Sequence, residues 1–428
     1  PHVGSIVNGD DHERIQRLLR MLRTTIDERA ARYAAVTAGT ITEYRRAASA
    51  PDEPRILLLV DGLAAFRQAY ETGPDVRLFE MFQSIAADGR QVGVHVVVTA
   101  DRSTAVPTAL ASVIQKRVVL RLASENEYLS LDVPPDALPL SSPPGRGFVD
   151  ALEVQVAVLG GSPDTSRQAS AIRRLARELE TNAGRAPAPR IDRLIERVRL
   201  QDLPTMVDDL PTLGVSDETL QPMAFVPHDV LLVVGPPGSG KTSTMALLAL
   251  SMVRVGRKGV YYLGPGRSPL RTFVDWESAL TGVDEIAEGA SALVDRIHRG
   301  DAVSGVFLED LSTFTSTAAE GPLVDLIKAC RAADVLFAAD AETSTLGSWP
   351  LQMAARAARH GIALQPDQLD GDNLFKTTFP RVSRAEFPPG RGFYVRAGRA
   401  TRFQAALPEL DAAWTEGSSP HLPEGGTV

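Results

Sequence analysis

A single cysteine, Cys330, occurs among 428 residues, which excludes an internal disulfide and fits a reducing compartment. Histidine is sparse as well. The seven histidines are scattered without metal-ligand spacing, so no histidine-built metal site is expected. Only five of the 45 basic residues are lysine, and the arginines are spread along the chain, as a GC-rich genome gives; a locally basic channel is the alternative reading. Basic charge is also in deficit overall: the net charge of -8 advertises neither nucleic acid nor anionic lipid as a partner. Long apolar runs are missing. Stretches such as Ile56 to Val60 and Val230 to Val234 stop far short of the roughly 18 residues that a membrane span needs. No signal peptide is visible, and the chain opens on Pro1 where a Met would be expected, so a piece of a longer protein is the expectation.

The length allows two or three domains, and self-similarity favours two copies of one fold. The hexapeptide PPGRGF occurs at Pro143 to Phe148 and again at Pro388 to Phe393, 245 positions later. Leu57 to Phe66 aligns with Gly305 to Phe314, and Arg90 to Ser103 aligns with Arg331 to Ser344, in the same order in both halves. Short apolar runs at Ile56 to Val60, Val92 to Val98, Val230 to Val234, Val303 to Leu308 and Val335 to Ala339 predict central strands buried on both faces. Helical periodicity surrounds them: Ile15, Leu18, Leu22 and Ile26 share one face, and an apolar helix follows from Thr242 to Val253. The pattern predicts α/β domains with parallel central sheets flanked by helices. The expected division is a module at 1–160 that lacks its phosphate-loop part, a helix (Thr165 to Glu180) and an Ala/Pro-rich linker (Asn182 to Pro189) within 161–199, and a complete module at 200–428. Near the start of the last, Gly214 to Phe225 predicts two short strands around a turn at Ser216 to Glu218.

The chemistry concentrates in Gly235-Pro236-Pro237-Gly238-Ser239-Gly240-Lys241-Thr242-Ser243. The first eight satisfy G-x-x-x-x-G-K-[ST] between an apparent strand and a helix, which is the context that motif requires. Such glycines let backbone N–H groups close around a phosphate, and the helix N-terminus adds partial positive charge. Lys241 would reach the β- and γ-phosphates of ATP, and Thr242 would offer its hydroxyl to Mg²⁺. The first half has no such loop. Because the loop precedes the acidic strand in this kind of domain, its copy would lie before residue 1.

An acidic pair normally ends the next strand: an Asp for the metal and a Glu that polarises the attacking water. Asp61 fills the metal position in the first copy, but Gly62 holds the base position and cannot accept a proton. In the second copy the order is inverted, with Glu309 as the metal ligand and Asp310 as the catalytic base. Each carboxylate is then displaced by about 1 to 1.5 Å, and an error of about 1 Å can cost about a hundredfold in rate. Tight nucleotide binding with slow hydrolysis is the expectation; an exposed acidic turn with no catalytic role is the alternative. A third landmark follows the next strand, where Thr99 in the first copy corresponds to Asp340 in the second. A polar group there can sense a γ-phosphate. Arg102, Arg146 and Arg391 are candidates for reaching across a subunit interface, or else ordinary loop charges.

With these landmarks placed, the chain resembles the FtsK/SpoIIIE family of ring-forming ATPases, and within it the EccC-type ATPases of type VII (ESX) secretion. The segments that carry the resemblance are PHVGSIV, GRQVGVHVVVTADRSTAVPTAL, VLRLASENEY, LPLSSPPGRGF and GVSDETLQPMAF. It covers nearly the whole chain and weakens from about residue 345. The resemblance implies two tandem RecA-like P-loop domains, most of a second module and all of a third, with ATP and Mg²⁺ as cofactors. It further implies assembly into homo-oligomeric, hexameric rings with other modules of the same ATPase. The exported partner implied is a helical-hairpin (WXG100-type) protein captured through its C-terminal signal. The location implied is cytoplasmic, at the inner face of the membrane, with membrane contact only through a part of the protein not present here. Two other readings stand beside it: a DNA translocase of the same family, disfavoured by the acidic charge and the lack of a basic DNA-reading domain, and a nucleotide-gated docking scaffold.

Overall fold

The computed structural model describes residues 2–134, 137–139, 141–150, 152–181, 187–380, 384 and 387–408. Most of the expected linker, 182–186, lies outside the described residues. The chain forms two compact units, 1–193 and 194–428, and their boundary falls inside the stretch 161–199.

In the second unit the strands run in the order Ser278–Thr281, Val260–Gly264, Gly305–Leu308, Leu336–Ala341, Asp229–Val234, Gly361–Leu364, and these six are parallel. Antiparallel strands Arg391–Arg396, Arg399–Ala405 and Leu210–Ser216 extend the sheet beyond them. Alternate residues of Asp229–Val234 enter two separate cores, Val230, Leu232 and Val234 on one face and Leu231 and Val233 on the other. That is why this strand reads as a continuous apolar run. Leu210–Ser216 and Pro222–Ala224 pair antiparallel around the expected turn.

In the first unit, Ile56–Val60 and Val94–Val98 form a parallel pair, while Val119–Leu120, Arg146–Val149 and Leu152–Gln155 form a separate antiparallel sheet. A long helix, His12–Ala35, is capped by Asp11 and buries Ile15, Leu22 and Ile26, three of the four residues predicted to share a face, together with Leu19 and Tyr33. The register matches the internal repeat: Val60 pairs with Val98 as Leu308 pairs with Ala339. In the second unit the phosphate-loop strand lies between the counterparts of these two small sheets; among the described residues of the first unit no strand does so.

The expected burial of Ile56–Val60 on both faces is therefore corrected. Leu57 is 63% and Leu59 69% exposed, and Val97 is 49% exposed, whereas the counterparts Phe307 and Ala338 are fully buried. Phe307 and Ala338 share a core with Met245, Leu248 and Met252 of the helix Lys241–Arg254. The first unit's described residues supply no such helix for that face, so an apolar strand stays half in solvent.

Candidate nucleotide site

The strand Asp229–Val234 delivers the chain to Gly235, and the helix Lys241–Arg254 begins at the far side of the loop. Gly238 and Gly240 have φ of 77° and 98°, a left-handed backbone that favours glycine. Gly240 is also crowded: a Cβ there would stand 3.2 Å from the Gly390 nitrogen. That nitrogen donates to the Ser239 carbonyl at 2.8 Å, so the second PPGRGF turn forms the rear wall of the phosphate loop. The first intrahelical bond of the loop's helix is Thr244 N–H to Gly240 O. The preceding N–H groups have no intrahelical acceptor and suit an anion.

Lys241 Nζ donates to the carbonyls of Gly235 (3.1 Å) and Pro236 (3.2 Å), curling its ammonium over the loop. The Ser239 hydroxyl is fully buried without a partner in the loop's interior, and the outer side of Gly238 faces open space. An orphaned hydroxyl, open helix-start amides and a local ammonium together fit a polyphosphate.

Glu309 and Asp310 follow the strand Gly305–Leu308. Glu309 is buried, and its Oε1 accepts from the Thr242 hydroxyl at 3.3 Å while Oε2 accepts from the Tyr262 hydroxyl at 2.8 Å. The extra methylene lets the carboxylate reach both neighbours. With its hydrogen given to Glu309, the Thr242 oxygen keeps lone pairs for a cation, so Thr242 and Glu309 fit the Mg²⁺ that ATP carries. That contact sets Glu309 apart from the exposed-turn alternative.

Asp310 is exposed, in a left-handed conformation (φ 56°). Its N–H donates to Asp340 Oδ1 at 2.9 Å and its Oδ2 accepts from the Thr313 hydroxyl at 2.6 Å. Asp340 is the last residue but one of the strand Leu336–Ala341 and is only 4% exposed. Burial pushes its carboxyl up to about 7, and the nearby Glu309 and Asp310 add to this against the opposing Asp310 N–H and Lys241. A cavity of about 530 Å³ opens here, lined by Lys241, Glu309, Asp310, Asp340 and Glu342 among others. Pro236, Pro237 and Ser243 belong to the loop by sequence and are not among the residues that line this cavity.

Asp61 stands in the first unit, where its Oδ1 accepts from the Thr99 hydroxyl at 2.6 Å and the same Thr99 oxygen accepts the Gly62 N–H at 2.8 Å. Gly62 has φ 78°. The turn that ends the acidic strand is thus built the same way twice: a left-handed residue whose N–H is held by a side-chain oxygen from the next strand.

No family model matches the chain. The ESX-4 secretion system protein EccC4 of Mycobacterium tuberculosis is 30% identical over 264 residues, 59% of this chain and 20% of that protein. The ESX-1 secretion system protein EccCb1 of Mycolicibacterium smegmatis is 28% identical over 271 residues, 56% of this chain and 43% of that protein. Among solved structures, Thermomonospora curvata EccC (ATPases 2 and 3), in complex with a signal sequence peptide, matches with a TM-score of 0.71 at 19% identity, covering 96% of this chain and 79% of that one. EssC (ATPases 2 and 3) from Geobacillus thermodenitrificans matches at 0.69 and 18%, covering 94% and 80%. The chain is similar to EccC-type, FtsK/SpoIIIE-like ATPases. It spans less than half the length of the two sequence relatives. Its fold is that of two tandem RecA-like P-loop domains.

In this EccC-like chain the three candidate arginines separate. Arg391 is buried and donates to the carbonyls of Leu194 (2.9 Å) and Ile195 (3.0 Å) and to Gln404 (3.3 Å). It is committed to holding the turn behind the phosphate loop. Arg146 repeats part of that clasp, with Nε to Gln155 at 3.1 Å, and each glutamine donates to a PPGRGF proline carbonyl at 3.0 Å. Arg102 is exposed. The glutamines escape sequence reading because they follow their arginines at different spacings, nine and thirteen residues (155 − 146 and 404 − 391). Tyr262 escapes because nothing local marks a core tyrosine as the partner of a carboxylate 47 residues later.

Asp340 gives this EccC-like site a pH signature. Its folded value, about 7, lies above the ordinary 3.8, so between those limits the folded state holds a proton that the unfolded state has released. Stability contributed at this position therefore falls as pH rises from about 4 to about 7. Asp340→Asn keeps an oxygen for the Asp310 N–H and removes the charge. We expect it to stabilise the second unit by on the order of 2 kcal/mol at pH 8 and by almost nothing at pH 4. Thermal unfolding at the two pH values measures this, and an equal change at both would contradict it.

Proposed function

We propose that the second unit binds ATP with Mg²⁺ at Gly235 to Ser243, hydrolyses it slowly, and serves as a nucleotide-holding module of a type VII (ESX) secretion ATPase. In this reading the chain drives or gates export of helical-hairpin (WXG100-type) proteins recognised through a C-terminal signal, as part of a ring of like subunits at the cytoplasmic face of the membrane. The observation that carries it is the Thr242–Glu309 contact at 3.3 Å, which joins the phosphate loop to the acidic strand as a cation site requires. Similarity to the EccC proteins, one of them solved with a signal peptide, supports the secretion role. Lys241 and Thr242 hold the nucleotide, Glu309 orients the metal side, and Asp310 stands where an attacking water would be polarised. ATP bound with Mg²⁺ supplies the scissile phosphoanhydride; the chain supplies orientation and charge.

Phosphate release by the purified chain, measured with and without a helical-hairpin export protein and with and without duplex DNA, tests the reading. Turnover below about one per second, under the usual enzyme range, together with capture of the hairpin protein, is the expected result. Stimulation by DNA with salt-sensitive duplex binding would move the assignment to a translocase.

A further inference from the structure

Among the described residues four carboxylates line the cavity beside the phosphate loop, those of Glu309, Asp310, Asp340 and Glu342, against the one ammonium of Lys241. Glu309 is accounted for by Thr242 and Tyr262, and Asp310 by Thr313. Asp340 is the buried one of the remaining two, and the fold does not require its charge. At the matching place in the first unit, Thr99 accepts the N–H of Gly62 at 2.8 Å with a neutral hydroxyl oxygen, the task that Asp340 performs for Asp310 at 2.9 Å. A carboxylate has been placed, almost fully buried, where a hydroxyl suffices.

Its position says what that charge would meet. Asp340 pairs in register with Val233, two residues before Gly235, and it lines the same cavity as Lys241. A polyphosphate gripped by the loop amides and Lys241 directs its terminal phosphoryl group past the lysine, toward these strand ends. Inner phosphates held by the loop would meet N–H groups, and a terminal one would approach these carboxylates. Unit charges of like sign a few ångström apart in a partly buried site change an affinity by about tenfold or more.

Resting on the nucleotide reading above, we propose that Asp340 is a specificity-determining residue that makes the second unit favour a nucleoside diphosphate over a triphosphate. ATP still binds, but its γ-phosphate is disfavoured by charge as well as poorly served for hydrolysis.

Calorimetric titration of the full chain with ADP and with the non-hydrolysable triphosphate AMP-PNP, both with Mg²⁺ at pH 8, tests this. The wild-type chain should bind ADP about tenfold or more tightly than the triphosphate. Asp340→Asn, which keeps the acceptor oxygen, and Asp340→Thr, which copies the first unit, should each shrink that ratio about tenfold by strengthening triphosphate binding, with ADP affinity unchanged within about threefold. Should one variant fail to fold, the other carries the comparison together with the wild-type ratio. A wild-type preference for the triphosphate, or a ratio unmoved by substitution, would overturn the proposal and leave the nucleotide reading standing. Binding of neither nucleotide would overturn both.

Discussion

Lys241→Ala is expected to lower the affinity of the chain for Mg²⁺-bound ADP and ATP by about a hundredfold or more, equivalent to roughly 3 kcal/mol. Among the described residues the ammonium of Lys241 is the only cation lining the cavity, and it lies over the loop with hydrogen bonds of 3.1 and 3.2 Å to the carbonyls of Gly235 and Pro236. Truncation removes both the charge and the group that pulls the loop carbonyls inward. The fold should survive, because the side chain is part-exposed and alanine is favourable in a helix's first turn. A fluorescent-nucleotide or calorimetric titration reads the loss directly, and a change of less than about threefold would count against the loop as the seat of binding. The same variant separates two roles. If capture of a helical-hairpin protein falls with nucleotide affinity, the nucleotide gates docking. If capture is untouched, the nucleotide has no part in docking.

Legibility of the sequence varied with the range of the interaction. The phosphate loop is a contiguous pattern whose glycines, lysine and threonine each have a local reason to be there, so a turn between a strand and a helix is legible at residues 235–242 from their order alone. The strands were legible for a similar reason, since an apolar run such as Val230 to Val234 has both faces to bury. Ile56 to Val60 has the same composition and a different outcome. Its apolar run suits a face that the helix Lys241–Arg254 covers in the second unit, and no periodicity in the run itself reports whether that cover is present. Contacts that join distant parts of the chain were least legible. The Tyr262–Glu309 bond and the seat of Gly390 behind Ser239 depend on strand order, which a list of strands does not contain. The repeated PPGRGF could be found by identity, but its work as a wall behind the loop could not.

The acidic pair shows how backbone geometry constrains chemistry. At the end of the acidic strand both units adopt a left-handed turn, with Gly62 at φ 78° and Asp310 at φ 56°. Asp is among the few residues with a side chain that tolerate this region, and Glu does so less readily. The inverted order Glu309-Asp310 therefore has a conformational rationale: the short acid takes the strained position, and the long acid takes the relaxed one and reaches Thr242 and Tyr262. What the turn gains in comfort, position 310 loses in reach.

Exchanging the pair, as the double variant Glu309→Asp and Asp310→Glu, is accordingly expected to raise the rate of ATP hydrolysis by about tenfold to a hundredfold, the range that a displacement of about 1 Å can command. A glutamate at 310 would extend past the bond that now ties Asp310 to Thr313 at 2.6 Å and carry its carboxylate farther into the cavity. An aspartate at 309 would give up the Tyr262 hydroxyl, now 2.8 Å away, and withdraw toward the strand. The exchange has a conformational cost of about 1 kcal/mol for a longer side chain at positive φ, so melting temperature should fall by a few degrees while turnover rises. Single variants should fall short of the double, because Asp310→Glu alone would crowd a second long carboxylate beside Glu309 and Glu309→Asp alone leaves the base position short. Phosphate release at saturating Mg²⁺-bound ATP, measured alongside thermal unfolding, distinguishes the outcomes. A double variant that melts lower and turns over no faster would show that the order of these two acids does not set the rate.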